Sequence, residues 1–295
     1  MSEKSLLFQY PFVPKSMVVN GHRMSYIDEG AGDRVVVMLH GNPTWSYLYR
    51  NLITRLKPGY RVIAPDHIGC GLSDKPEDYD YTLANHIDNV ETLLKGLGIE
   101  KCVLVVHDWG GAIGMGWAGR HPDAVEGLVV LNTGAFRSKR IPLRIAACRI
   151  PRLGEWIVRA LNGFAGAAVY MAVAHKMSKS IKAGFLHPYN NWQNRVAVHR
   201  FVMDIPLNNK HQSWDTLVQV ENNLNKLQNK PMLICWGGKD FCFDRVFYQE
   251  WRQRFPDADA HYFSDGGHYI LEDVFEEVAQ LTEKFLQSSG AGELE

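Results

Sequence analysis

Asp108 stands in "VVHDWGGAIG" (residues 105–114), an apolar run that ends in an acidic side chain, two glycines and small residues at helical spacing. That pattern describes a strand, a sharp turn and a helix start. Such a turn lifts one side chain above a sheet and sets it over a helix N-terminus, which favours negative charge. Small residues at 110 and 111 let the turn close and let helix and strand approach. A serine so placed attacks a carbonyl carbon. A carboxylate is suited instead to displacing a leaving group from saturated carbon, which leaves an alkyl ester on Asp108. Asp before a helix is also a common N-cap, so the reading depends on what accompanies it.

Three further segments complete the chemistry. "LHGNPTW" (39–45) follows an apolar run, where this arrangement places part of its oxyanion hole. Gly41 permits close backbone approach, and Pro43 stiffens the loop. Asn42 offers amide N–H donors to the pocket or is an ordinary turn residue. The indole N–H of Trp109 is a second donor, or else the ring is pocket lining. "DGGHYILED" (265–273) brings His268 between a strand and the last helix. His40, His107, His187 and His199 compete with it, and a lone histidine is more often structural. His268 is preferred because nucleophile, acid and then His is the recurring chain order. "CWGGKDFCFD" (235–244) leaves a strand and presents Asp240 at its end, with Asp244 a turn later as the alternative. The equivalent place in "VVLNTGAF" holds Asn132 and Thr133 but no carboxylate.

Taken together, Asp108 is the nucleophile and His268 the base that activates water against the ester. Asp240 is the acid that fixes the imidazole tautomer, and Asn42 with Trp109 stabilises charge on the leaving group. No His, Cys and carboxylate cluster has the spacing of a metal site, and no organic cofactor is indicated.

Such groups need a sheet to hold them. Six short β-branched runs supply it, at 34–39, 61–66, 102–107, 127–132, 231–236 and 259–264. Their continuous apolar character suits parallel strands covered on both faces. "YTLANHIDNVETLLKGLG" and "VFEEVAQLTEKFLQ" repeat apolar residues as amphipathic helices do. The prediction is an α/β fold with a mostly parallel central sheet and helices on both faces. Between 133 and 215 this regularity stops, and several helical patterns rich in Arg, Trp and Gly replace it. Residues 1–132 and 216–295 are therefore read as the core. Residues 133–215 are read as an inserted helical cap over the carboxyl ends of the strands, walling a substrate pocket.

Within the cap, "ALNGFAGAAVYMAVA" (160–174) falls short of the ~20 residues that span a bilayer and predicts a buried or interfacial helix. With Phe185, Trp192 and Phe201 it offers surface to alkyl chains, or simply forms cap core. Arg195 and Arg200 could meet a carboxylate, but are read as solvated helix face.

Bulk properties narrow the class. The chain has 295 residues, 46% of them hydrophobic, and a formal net charge of zero, which argues against a nucleic-acid footprint. Five cysteines, odd in number and without a CxxC pair, predict a reduced, cytoplasmic protein with mostly buried thiols. The N-terminal "MSEKSLLFQYPFVPKS" lacks the apolar core of a signal peptide, no transmembrane segment is expected, and "SSGAGELE" is expected to fray.

"HGNPTWSYLYRNL", "PDHIGCGLSDKP", "VVHDWGG" and "GGHYILED" resemble blocks of the haloalkane dehalogenases of the α/β-hydrolase superfamily, and the likeness covers nearly the whole chain. It implies the α/β-hydrolase fold with a cap, and the same roles for Asp108, His268, Asp240, Asn42 and Trp109. An acid after the later strand, with Asn rather than a second Trp in the hole, is similar to the third subfamily. In the cap, "PYNNWQNRVAVHRFVMDIPL" (188–207), with "WGGKDFCFD" and "HYILED", resembles the β-lactone decarboxylases of bacterial long-chain olefin biosynthesis. That resemblance implies a cis-3,4-dialkyl β-lactone as substrate, with a cis-alkene and carbon dioxide as products. It also implies association with other olefin-biosynthesis enzymes, and it leaves the duty of His268 open because no hydrolytic water is required. The alternatives are a haloalkane dehalogenase, an epoxide hydrolase using Tyr170 or Tyr189 for ring opening, and a catalytically silent ligand receptor.

Overall fold

Eight strands form one sheet in the computed structural model, which describes residues 8–290. They are β1 (Lys15–Val19), β2 (His22–Glu29), β3 (Val35–Leu39), β4 (Arg61–Pro65), β5 (Cys102–Asp108), β6 (Val125–Thr133), β7 (Met232–Gly237) and β8 (Asp259–Phe263). Their spatial order is β1-β2-β4-β3-β5-β6-β7-β8, and β2 is antiparallel to both its neighbours while β3 to β8 pair in parallel. The six β-branched runs all became strands. The β1–β2 hairpin was not among them, because "HRMSYIDE" mixes charges into its alternation. Its turn did carry a signal: Asn20 and Gly21 both adopt positive φ, as the two central residues of a tight hairpin require.

Alternate residues of each central strand enter opposite cores. Val37 and Leu39, with Leu104 and Val106, face one side; Val36 and Met38, with Val103 and Val105, face the other. α1 (Arg50–Leu56) covers the second side, and α2 (Leu83–Gly96) and α3 (Trp109–Arg120) the first. Both faces being covered explains the unbroken apolar runs.

No strand occurs between β6 and β7. That segment holds α4 (Leu143–Ala147), α5 (Leu153–Glu155), a π-helical turn (Trp156–Ala160), α6 (Ala165–Met171), α7 (Lys179–Leu186), α8 (Val196–Met203) and α9 (Trp214–Asn223). α9 starts at Trp214, so a boundary at 215/216 falls in its first turn, and it packs on α3 through Val220 and Asn223. The single helix expected over 160–174 is absent. Asn162, at φ 53°, and Gly163 turn the chain between the π-helical turn and α6. An Asn-Gly pair interrupts a helix even inside an apolar run.

The chain closes with α10 (Arg245–Arg254), α11 (Ile270–Asp273) and α12 (Phe275–Gly290). Ser288 and Ser289 remain helical, the Ser289 hydroxyl donating to the Phe285 carbonyl at 2.7 Å, so fraying does not begin there. Residues 291–295 and the first seven of the N-terminal segment lie outside the described residues. No helix among the described residues is long and apolar enough to cross a membrane.

Successive strands lead away from β3 in both directions, to β4 on one side and β5 on the other. A crevice opens beyond the carboxyl ends of strands at such a reversal, and ligands bind there.

Candidate active site

Asp108 ends β5 with φ 53° and ψ −126°, a conformation that costs an L-residue about 1–3 kcal/mol. The Thr133 hydroxyl donates to its carbonyl oxygen. Space around the turn is absent by design of the sequence. A Cβ on Gly110 would lie 1.9 Å from the Leu39 carbonyl oxygen, and one on Gly41 would lie 2.0 Å from Asp108 Oδ1. Bare backbone at 41 lets the Asn42 amide donate to Asp108 Oδ1 at 2.6 Å, and the Trp109 backbone amide also donates to this carboxylate. Two amides thus converge where negative charge sits.

The loop after β8 brings His268 to the opposite side. Its Nε2 lies 3.6 Å from Asp108 Oδ2, beyond a normal hydrogen bond, while its Nδ1 lies 2.8 Å from Asp240 Oδ2. Neighbours pin the loop. Gly267 donates its amide to Asp273, Tyr269 donates its amide to the Ala172 carbonyl of the cap, and His107 Nε2 donates to the His268 carbonyl at 2.8 Å.

Asp240 leaves β7 and accepts the amides of Cys242 and Phe243 on Oδ1, at 2.6 and 3.1 Å. Its Oδ2 also accepts from Asn132 Nδ2 at 2.9 Å. Asn132 is the residue that sequence reasoning passed over. It sits at the end of β6 at φ 32°, and its side-chain oxygen accepts the Gly237 amide at 2.7 Å, so one amide ties β6 to β7 and braces Asp240. The signal was present, since "VVLNT" placed a hydrogen-bonding side chain at the end of the strand next to β7. Asp244 does something different: it accepts the Val246 amide as N-cap of α10 and pairs with Arg140.

Electrostatics follow from this enclosure. Burial pushes the Asp108 carboxyl above its ordinary value, against the lowering pull of His268 and the two amides. Burial pulls His268 down, but the carboxylates of Asp240 and Asp108 outweigh it and leave the imidazole above its ordinary value. His107 beside it is held far below, by burial and then by His268, and stays neutral. Of the other candidates, His40 bonds the His67 backbone while the His67 ring bonds that of His40, His187 is exposed, and His199 is buried in α8.

A cavity of about 390 Å³ opens above Asp108. Asn42, Trp109 and His268 form its polar end, and Phe164, Ala168, Met171, Ile205 and Leu217 are among its apolar walls. One Asn42 amide hydrogen is committed to the Val198 carbonyl of α8 at 3.1 Å; the second has no acceptor among the described residues. The Trp109 ring packs edge-on against Phe201 and its indole N–H meets no acceptor among them either. Two donors are therefore free at the polar end.

The cap decides several readings that the sequence left open and overturns one, that of Arg195. Phe185 stacks on Tyr269, Phe201 on His86, and Trp192 covers Arg159, so all three are packing rather than cavity wall. Arg195 is not solvated helix face, for it donates to the carbonyls of Tyr189 and Arg159, while Arg200 is exposed. Tyr189 is buried with its hydroxyl donating to the Thr44 carbonyl, and Tyr170 lies exposed under Lys182; neither lines the cavity, which removes the ring-opening tyrosines. All five cysteines are free.

Comparison with known proteins agrees with this architecture. Residues 34–274 match a model of the alpha/beta hydrolase fold. The chain is 47% identical over 283 residues to a cis-3-alkyl-4-alkyloxetan-2-one decarboxylase of Shewanella oneidensis, covering 94% of this chain and 89% of that protein. It is 44% identical to the protein of the same name from Xanthomonas campestris, covering 94% and 97%. Among solved structures it superimposes on the haloalkane dehalogenase DbeA from Bradyrhizobium elkani with a TM-score of 0.87, at 26% identity over 95% of this chain and 99% of that one. The chain belongs to the α/β-hydrolase fold family, in the haloalkane dehalogenase-like branch that also holds these decarboxylases.

Proposed function

We propose that the protein is a cis-3-alkyl-4-alkyloxetan-2-one decarboxylase of hydrocarbon biosynthesis, with Asp108 as nucleophile, Asp240 and His268 as its acid and imidazole, and Asn42 and Trp109 as charge stabilisers. The observation that carries this reading is the 47% identity, along 94% of the chain, to a protein of that activity. An apolar cavity ending on a buried carboxylate supports it.

In this mechanism Asp108 attacks the ring carbon that bears the lactone oxygen. The carbon–oxygen bond breaks, and its electron pair leaves as a carboxylate toward the free N–H groups of Asn42 and Trp109. The bond from carbon to that carboxylate then breaks. Its pair forms the double bond as the ester bond to Asp108 opens, which releases carbon dioxide and restores the Asp108 carboxylate. No water is consumed. His268, whose protonated form is favoured by Asp240 and Asp108, stabilises the returning charge. A hydrolytic route would need it neutral, a state favoured once esterification removes the Asp108 charge.

Core residues 1–132 and 216–295 supply the reacting groups, and the cap, 133–215, supplies much of the alkyl wall, with Leu83, Leu217 and Phe247 of the core completing it. Each buried methylene contributes about 0.8 kcal/mol, so chain length governs affinity. Association with the enzymes that make and pass on the lactone belongs to the same proposal and is read by co-purification from the native host.

The test gives purified protein a cis-dialkyl β-lactone and, separately, 1-bromobutane. Alkene and carbon dioxide in equal amounts are expected from the first. Bromide release at a comparable rate from the second would replace the reading with haloalkane hydrolysis.

A further inference from the structure

Zero net charge conceals a division. Residues 133–215 hold thirteen lysines and arginines against three acidic residues, and the rest of the chain holds nineteen against twenty-nine. Arg137, Arg140 and Arg159 are paired with carboxylates. Among the described residues Lys139, Arg144, Arg152, Lys176 and Lys179 are in no ion pair. Along the sequence, exposed apolar side chains alternate with these cations: Leu143 is 88% exposed, Trp156 53% and Tyr170 67%, with Leu153 and Leu161 close to half.

Their placement is ordered. Leu153 and Trp156 are one helical turn apart, and the Leu161 amide donates to the Trp156 carbonyl across the π-helical turn, which sets Leu161 on the same side. Arg144 reaches the Met171 sulfur at 3.7 Å, and both residues line the cavity with Pro142, so the face adjoins the cavity wall. Tyr170, next to Met171, holds the Lys182 ammonium 3.8 Å above its ring.

We propose that this face of the cap docks on the surface of an anionic lipid bilayer, so that an alkyl-chain substrate passes from the membrane to the cavity. Lysine and arginine among leucine, tryptophan and tyrosine match the charged headgroups and the acyl boundary beneath them. Nucleic acid would use the cations and leave Leu143, Leu153 and Trp156 in water. The proposal holds for any apolar substrate, and its readout requires no turnover, so it stands or falls apart from the decarboxylase reading.

The experiment sediments the full chain with vesicles of phosphatidylcholine, with and without phosphatidylglycerol. Binding is expected only to the anionic vesicles, with release by salt and a blue shift of fluorescence that Trp156→Phe loses. Leu153→Ser with Trp156→Ser is expected to weaken binding by about tenfold or more. Arg152→Gln and Lys179→Gln keep the apolar residues and are expected to weaken it about fivefold each. Circular dichroism and the thermal midpoint confirm that each variant folds. No sedimentation at low salt, or binding unchanged in the serine pair, overturns the proposal. So does equally tight binding of a DNA duplex that ignores the serine pair. Self-association without vesicles that the serine pair abolishes assigns the face to a second copy and overturns it too.

Discussion

Asp108 carries charge in a buried place, on a backbone angle that L-residues rarely adopt. Both features oppose folding, and the proposed nucleophilic role is a reason to retain them. Asp108→Asn is therefore expected to lower turnover on the order of 10⁴-fold or more while the thermal midpoint holds or rises. Alkene release with calorimetry checks this, and undiminished turnover would remove the nucleophile. The raised carboxyl also sets a pH dependence. In the proposed mechanism attack needs the ionised form, so the rate falls as pH drops through the folded pKa, placing the acid limb above the ordinary 3.8. For stability the folded state holds this proton more tightly than the unfolded chain. Its contribution is present below 3.8 and is lost as pH rises through the raised value. The stability gap between Asp108→Asn and the natural protein should therefore be wider at neutral pH than near pH 3.8, which urea titration at both measures.

Strand ends aim the groups, and the fit of neighbouring turns keeps them aimed. Gly41→Ala would place a methyl group 2.0 Å from Asp108 Oδ1 and push the Asn42 amide away. Misplacing the reacting carboxylate in this way is expected to lower the rate by about 10²-fold. Steady-state kinetics should show the loss in kcat more than in KM. Asn132→Ala removes the brace between β6 and Asp240 and leaves the Gly237 amide without its acceptor. The expected cost is about 1–3 kcal/mol of stability, read by denaturant unfolding, with slower turnover as Asp240 loosens. Elements of this kind were unequally legible. The six parallel strands followed from short runs, most of them apolar and β-branched, whereas β2 depends on pairing with β1 and β4 and shows little pattern of its own. Asn132 looked like a gap where an acid was missing, because its use depends on β6 lying beside β7.

Across the molecule, the loop that carries His268 is anchored at both faces. Arg50 and Glu272 form a buried two-pronged ion pair, at 2.5 and 2.9 Å, that ties α1 to α11 just beyond the imidazole. Arg50→Ala leaves Glu272 buried and unpaired and is expected to cost about 3–5 kcal/mol. Arg50→Met with Glu272→Leu, which removes both charges, should cost much less; chemical denaturation compares the two. On the cap side the Ala172 carbonyl accepts from Tyr269, so the helices over the cavity also help to hold the loop. Placement of the cap thus bears on chemistry as well as on binding.

Short-range order in the chain determined the strands, the sharp turn at Asp108 and the helical character of the cap, because β-branched runs, turn residues and small side chains act within a few residues. It also picked out the candidate reacting groups: a nucleophile, Asp240 in preference to Asp244, and a preferred histidine. Only the tertiary structure decided that Asn132 supports Asp240 and that Tyr189 points away from the cavity. Those contacts join strands and loops far apart in sequence, and their energy depends on burial and neighbouring charge that no local pattern encodes.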